Sequence, residues 1–369
     1  IAEEHAFARE LAAAEIPVVA PLTPLRNDEL GDGPVPVFGG FRLAIYPRRG
    51  GQWPELGTAD DRQWIGRFLG RIHGVGASRS FVHRARLSPT AMGRDSVAYL
   101  EEDELIPDYI RHRYFEVTDE LLDQVEARFE SVGPLRYLRI HGDCHRNNVL
   151  WTAAGPHFVD LDDCMTGPAI QDLWMLLAGR PDEMRVQLAE IVEGYSQFAV
   201  FDPIEASLIE SLRALRMIHY AAWLARRWHD PAFPRAFPWF GEARYWERHV
   251  AELEDPQVGD HASLRRQVAG IAAGPRRERR DVVREEPLKV RPTVGAGDND
   301  AAARAAIDHA GARTRGGIAG WRSGGGGRGR WRHDAAGPIV AGRPAPGGSP
   351  AGLARQCVRL YSTTLMPTA

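Results

Sequence analysis

Residues 138–177 read LRIHGDCHRNNVLWTAAGPHFVDLDDCMTGPAIQDLWMLL, and the fold turns on how this stretch is divided. Leu138-Arg139-Ile140 is a short β-like run that leads into a polar loop starting at His141. Val149-Leu150-Trp151 and His157-Phe158-Val159 flank a turn at Ala153-Ala154-Gly155, which makes a hairpin. Polar residues therefore collect on the loop before one hairpin and at the exit of its second strand, where a rigid scaffold displays chemistry best.

The loop His141-Gly142-Asp143-Cys144-His145-Arg146-Asn147-Asn148 has the spacing H-x-D-x-x-x-x-N. Phosphoryl transfer asks a protein for little covalent help. It needs a carboxylate to orient and deprotonate the attacking hydroxyl, and a divalent ion to neutralise phosphate oxygens. This spacing supplies an Asp for the first task and an Asn ligand for the second. Asp160 follows across the hairpin, where a second metal-binding carboxylate is expected, and hard oxygen ligands of this kind suit Mg²⁺. Taken alone, Asp143 reads as a loop-capping carboxylate and Asn148 as a turn residue. Only the combination of loop, hairpin and Asp160 points to chemistry.

Outward from this centre the pattern is mostly helical. Residues 3–14 place Phe7 and Leu11 on one face, and Pro17 ends the pattern. Trp64, Phe68, Leu69 and Ile72 form one apolar stripe, and Leu121, Leu122, Val125 and Phe129 another. Further helical blocks fall near residues 173–177, 188–198 and 204–228, and such stripes read as core packing. Val35-Pro36-Val37-Phe38 and residues 41–46 read as two strands joined by Gly39-Gly40, with Pro36 placing the first at an edge.

The 369 residues carry a formal net charge of −3 and three cysteines, too few and too scattered for a disulfide framework. A cytoplasmic, monomeric protein is expected, since no apolar run is long enough for a membrane span and the N-terminus lacks a signal-peptide pattern. From residue 256 onward the composition shifts to Gly, Ala, Arg and Pro, with 19 Arg and Lys against nine Asp and Glu. This basic tail lacks apolar periodicity and reads as disordered. Cys144, His145 and Cys164 lack paired C-x-x-C spacing and do not read as zinc ligands. Gly324 to Arg330 lacks the G-K-[ST] of a phosphate loop, and for the tail alone nucleic-acid binding stays open as an alternative.

The passage with HGDCHRNNVLW and FVDLDDCMTGPAIQDLWMLL resembles the aminoglycoside phosphotransferase superfamily of protein-kinase-like folds. Within it the passage is most similar to the stress response kinase A (RdoA-type) serine/threonine kinases. The downstream run LRALRMIHYAAWLARRWHDPAFPRAFPWF is also similar, so the resemblance covers about residues 1–254. It implies an α+β, two-lobed fold: residues 1–46 as a remnant of the N-lobe, 47–255 as a helical C-lobe, and 256–369 as the tail. It implies ATP as co-substrate and Mg²⁺ as cofactor. Asp143 is then the proton acceptor, Asn148 and Asp160 the metal ligands, and Asp160 is counted with Asp143 as catalytic. His141 supports the loop, Asp172 braces its backbone, and Asp162 and Asp163 lie further out. Glu4 stands where the family pairs a Glu with the nucleotide lysine, and Ile45, Tyr46 and Arg48 stand at the adenine-contacting hinge.

The resemblance implies a Ser/Thr hydroxyl of a protein, the kinase itself included, as phosphate acceptor. Small-molecule hydroxyls and an inactive remnant stay open as alternatives. The family carries a phosphate-covering loop and a lysine-bearing strand before the first helix, whereas Lys289 in the tail is the sole lysine here. The chain begins at Ile1 without a methionine, so a truncated small lobe with poor activity is expected. The tail, which has no counterpart in the family, is expected to derive from a frameshift.

Overall fold

The structure, a computed structural model, describes residues 1–23, 35–38, 41–255 and 356–362. The Gly39-Gly40 turn, Lys289 and the 324–330 glycine run lie outside the described residues. The described residues divide into two compact units: 3–18 with 50–255, and 1–2 with 19–23, 35–38, 41–49 and 356–362.

The smaller unit is built on an antiparallel sheet. β1 (Val37–Phe38) pairs with β2 (Phe41–Pro47), Val37 opposite Arg42, as the alternating apolar pattern suggests. On its other side β2 pairs with β7 (Gln356–Ser362), Ile45 opposite Val358. The strand β7 is absent from the sequence reading, although Cys357-Val358-Arg359-Leu360-Tyr361 has the β-branched and aromatic content that favours strands.

The larger unit is α+β and mostly helical, and it contains α1 (Ala2–Ala13). Phe7 and Leu11 are fully buried, as their spacing requires. α2 (Ala59–Gly76) starts at a capping box: Thr58 Oγ1 accepts the Asp61 N–H, and the Asp61 carboxylate accepts from the Thr58 N–H. Its buried face is Ile65, Leu69, Ile72 and His73, which keeps Leu69 and Ile72 of the expected stripe and leaves out Trp64 and Phe68, because α6 (Pro181–Tyr195) lies against Gly66 and Gly70. A Cβ on Gly66 would stand 2.1 Å from the Ile191 carbonyl oxygen, so the two backbones touch. Trp64 turns instead to Trp151, edge to face, with centroids 5.5 Å apart.

A second core joins α3 (Asp95–Glu102), α4 (Asp108–Val132), α7 (Ile209–Arg227) and α9 (Ala243–Leu253) around Tyr114, Phe240 and Trp246. Leu121, Leu122 and Val125 are buried in it, with Phe129 at its margin. The larger unit also holds two small two-stranded sheets. β3 (Leu138–Ile140) pairs with β6 (Met165–Gly167), and β4 (Val149–Thr152) pairs with β5 (Gly155–Phe158), Val149 opposite Phe158. α5 (Ile170–Trp174) follows β6 directly. Among the described residues no helix is long and apolar enough to cross a membrane.

Candidate functional site

β3 delivers the chain to His141, and the loop that follows is gripped by its backbone. The fully buried Asp172 carboxylate accepts the N–H groups of His141 and Gly142, both at 2.8 Å. It also accepts His73 Nε2–H at 2.9 Å, which leaves His73 Nδ1 to accept the Tyr195 hydroxyl at 3.0 Å. Gln171 Nε2 donates to the Gly142 carbonyl at 2.9 Å, and His141 Nε2 donates to the Val159 carbonyl at 2.9 Å. Gly142 has φ +84°, and a Cβ there would lie 2.2 Å from the Asp163 carbonyl oxygen. Conformation and space both demand glycine between His141 and Asp143.

With the backbone fixed, Asp143 presents a carboxylate whose side chain is 18% exposed. Asn148 Nδ2 donates to its carbonyl at 3.0 Å and to its Oδ2 at 3.2 Å. His145 Nε2 lies 3.3 Å from Oδ2, while His145 Nδ1 accepts the Asn147 N–H at the start of the 3₁₀ turn Arg146–Asn148. Oδ1 accepts from Arg216 Nη1 at 2.5 Å, an arginine from α7. Burial alone would push the Asp143 carboxyl up. The hydrogen bond from His145 and the charges of Arg216, His145 and His141 overcome it and hold the group well below the usual carboxylate range.

Asp160 ends the β4–β5 hairpin with φ 65° and ψ 58°, a left-handed conformation rare outside glycine and tolerated by Asp. The Val159 N–H donates to the Asn148 carbonyl at 3.0 Å, which ties the segment carrying Asp160 to the one carrying Asn148. Asn148 commits its Nδ2 to Asp143, so its amide oxygen points the other way. An amide oxygen and a carboxylate on joined segments are the hard donors that fit Mg²⁺. Beyond them, burial with the charges of Asp143 and Asp160 pushes the Asp163 carboxyl up.

Glu4, expected opposite a nucleotide lysine, is buried and faces Arg84 at 3.8 Å. Arg84 Nε donates to the Cys164 carbonyl at 2.7 Å, and its Nη2 donates to the Asp162 carbonyl. The neighbouring Glu3 accepts three successive backbone N–H groups, those of Val82, His83 and Arg84, at 2.7–2.9 Å. The start of α1 is thereby tied to the chain that follows Asp160.

Comparison with known proteins shows the family of the chain. Residues 1–207 match the phosphotransferase enzyme family. Stress response kinase A of Escherichia coli is 43% identical over 255 residues, covering 68% of this chain and 74% of the relative. The chain belongs to the phosphotransferase enzyme family. The serine/threonine protein kinase RdoA of Salmonella typhimurium is 43% identical over 250 residues, covering 68% of this chain and 74% of the relative. Among solved structures, a choline/ethanolamine kinase family protein from Mesorhizobium loti has 18% identity and a TM-score of 0.47, over 74% of this chain and 85% of that one.

This phosphotransferase is therefore an ATP-dependent kinase of protein-kinase-like fold, acting on a hydroxyl acceptor. Its structure brings Asp143, Asn148 and the segment of Asp160 together and gives Asp172 the bracing position. Ile45, Tyr46 and Arg48 belong to the smaller unit. There the Ile45 carbonyl accepts the Leu22 N–H at 2.8 Å, Tyr46 stands opposite Cys357, and Arg48 is exposed. Three participants escaped the sequence reading: Arg216, His145 and Arg84. His145 was within the motif, but nothing in the spacing says which way its ring turns. Arg216 and Arg84 arrive from helix and loop positions 73 and 80 residues away from their partners, and no local signal marks them.

Proposed function

We propose that this kinase transfers the γ-phosphate of ATP to a Ser or Thr hydroxyl of a protein, itself included, with Asp143 as proton acceptor. The observation that carries the reading is the Asp143 carboxylate, fixed by Asn148 on a loop whose backbone Asp172 grips from below. Asp143 orients the acceptor hydroxyl. As its oxygen bonds to the γ-phosphorus, the bond from that phosphorus to the β–γ bridging oxygen breaks, and the hydroxyl proton passes to the Asp143 carboxylate. A carboxylate held well below its usual range is a weak base. It suffices here because in a loose transition state the proton leaves late and positioning contributes most.

Asn148 and Asp160 would hold Mg²⁺, which when bound neutralises the phosphate oxygens. Ile45, Tyr46 and Arg48 are proposed to meet the adenine, and Glu4 with Arg84 to hold the loop near the phosphates. The protein acceptor follows the kinship to relatives named stress response kinase A and serine/threonine protein kinase RdoA, and a cytoplasmic role in stress response follows the same kinship. The test is transfer of labelled phosphate from ATP with Mg²⁺ to the chain itself and to protein substrates, against a panel of amino alcohols. Label on protein Ser or Thr is expected, and label on the amino alcohols alone would overturn the protein assignment.

A further inference from the structure

The four contacts around Asp143 are unequal in what they leave open. Oδ2 is engaged by Asn148 at 3.2 Å and approached by His145 at 3.3 Å, so Oδ1, with one partner against two, keeps a lone pair for an acceptor hydroxyl. Arg216 sits on that oxygen. A guanidinium donates and never accepts, and it stays charged at every accessible pH, so a hydroxyl cannot donate to Oδ1 along the line Arg216 occupies. Arg216 is 37% exposed and pairs with Asp143, so its guanidinium is within reach of an arriving acceptor. An anion brought in by the acceptor would compete with Asp143 for the guanidinium and open the rest of Oδ1, since a planar fork is drawn best by a carboxylate or a phosphate.

The surrounding helix face points the same way. Of the four arginines in residues 211–229, Arg213 pairs with Glu210 and Arg226 turns to Tyr99, while Arg216 and Arg227 lie on the side of Asp143, Asp162 and Asp163. One turn beyond Arg216, Tyr220 is exposed, feels the charges of both Arg216 and Asp143, and stacks on Trp223 at 5.9 Å with planes 10° apart. Arg227 lies over the Trp223 ring at 4.3 Å and feels the charges of Asp162 and Asp163. A cationic acceptor approaching over this face meets like charge, whereas an anionic one meets partners.

We propose that Arg216 selects an acceptor carrying an anionic group beside its hydroxyl, and that pairing with that anion releases Asp143 Oδ1. The proposal rests on the reading of Asp143 as proton acceptor, and it names the acceptor as a Ser or Thr flanked by Asp, Glu or a phosphorylated residue. Arg216 is an acceptor-binding residue and takes no part in proton transfer.

The test uses the full chain with four matched serine peptides, whose neighbours are Asp/Glu, phosphoserine, neutral residues or Lys/Arg. Binding is read by fluorescence anisotropy and, separately, transfer from ATP by label. The anionic peptides should bind on the order of tenfold or more better than neutral ones, the value of a charge-assisted pair, with the basic peptide weakest. Comparison of the Asp/Glu and phosphoserine peptides tells which anion Arg216 prefers. In the binding arm Arg216→Ala should erase the preference, Arg216→Glu should invert it, and Arg216→Lys should keep it in part. Thermal melts confirm that each variant is folded. Equal binding of acidic and basic peptides, or a preference that survives Arg216→Ala, overturns the proposal, and the binding arm decides this without turnover. Transfer that persists undiminished in Asp143→Ala would instead overturn the functional reading itself.

Discussion

The loop around Asp143 owes its shape to a carboxylate 29 residues downstream. Asp172 accepts two backbone N–H groups and a histidine at once, all out of contact with water. Removing it would leave those donors buried and unpaired, at about 1–3 kcal/mol each. Asp172→Ala is therefore expected to lower stability by at least about 3 kcal/mol, read as a drop in the urea midpoint at unchanged slope. Transfer should fall with it, because Gly142 and Asp143 lose their register. That Asp143 and Asn148 share one loop and Asp160 ends the following hairpin was legible in the sequence, because the motif has a fixed spacing. Arg139 was not. In an alternating strand it reads as an outward polar residue, yet it is 2% exposed. It sits under the Phe7 ring, 4.6 Å from the centroid, and donates to Glu10 and to the Val75 carbonyl at the end of α2. Burial of that charge depends on partners 64 and 129 residues away, and no local pattern reports them.

At the scale of elements, the positions of helices were readable from apolar periodicity, and the faces they bury were readable only to within one residue. α2 shows why. The sequence places Trp64, Phe68, Leu69 and Ile72 in its stripe, and the structure buries Leu69 and Ile72 but takes Ile65 in place of Trp64 and Phe68 and sets Gly66 and Gly70 against α6. Close backbone approach decides the rotation of the helix, and the glycines are its only trace in the sequence. Two substitutions separate the packing role of a glycine from its conformational cost. Gly66→Ala would force α2 and α6 apart and should cost about 1–3 kcal/mol. Gly74→Ala, on the same helix with open space around it, should stabilise by roughly 0.5–1 kcal/mol. Thermal melts of the two variants should move in opposite directions. A matching shift would mean that the contact between the two helices is not what fixes them. The strand β7 shows the opposite limit: seven residues inside a segment without apolar periodicity still pair with β2, a non-local choice that composition cannot reveal.

At the scale of the whole molecule, one buried acid gives stability a pH dependence that ordinary carboxylates do not. Glu205 is 3% exposed and accepts the Ile170 N–H at the start of the helix that carries Asp172. Burial pushes its carboxyl from the usual 4.5 up to about 7, against the pull of that backbone bond. A raised acid binds its proton more tightly in the folded state, so its contribution is full below about 4.5 and is lost as pH rises through about 7. Glu205→Gln keeps an accepting oxygen and removes the titration. Relative to the parent chain it should gain up to about 3 kcal/mol between pH 4.5 and pH 8, read as a difference in melting temperature at the two pH values. A difference that does not change with pH would place Glu205 in water rather than in the core. The account as a whole stands or falls on Asp143. With ATP and Mg²⁺, Asp143→Ala should keep the melting temperature of the parent to within a few degrees and lose about 10²–10⁴-fold in phosphoryl transfer, whereas transfer at the parent rate from a folded Asp143→Ala chain would contradict it.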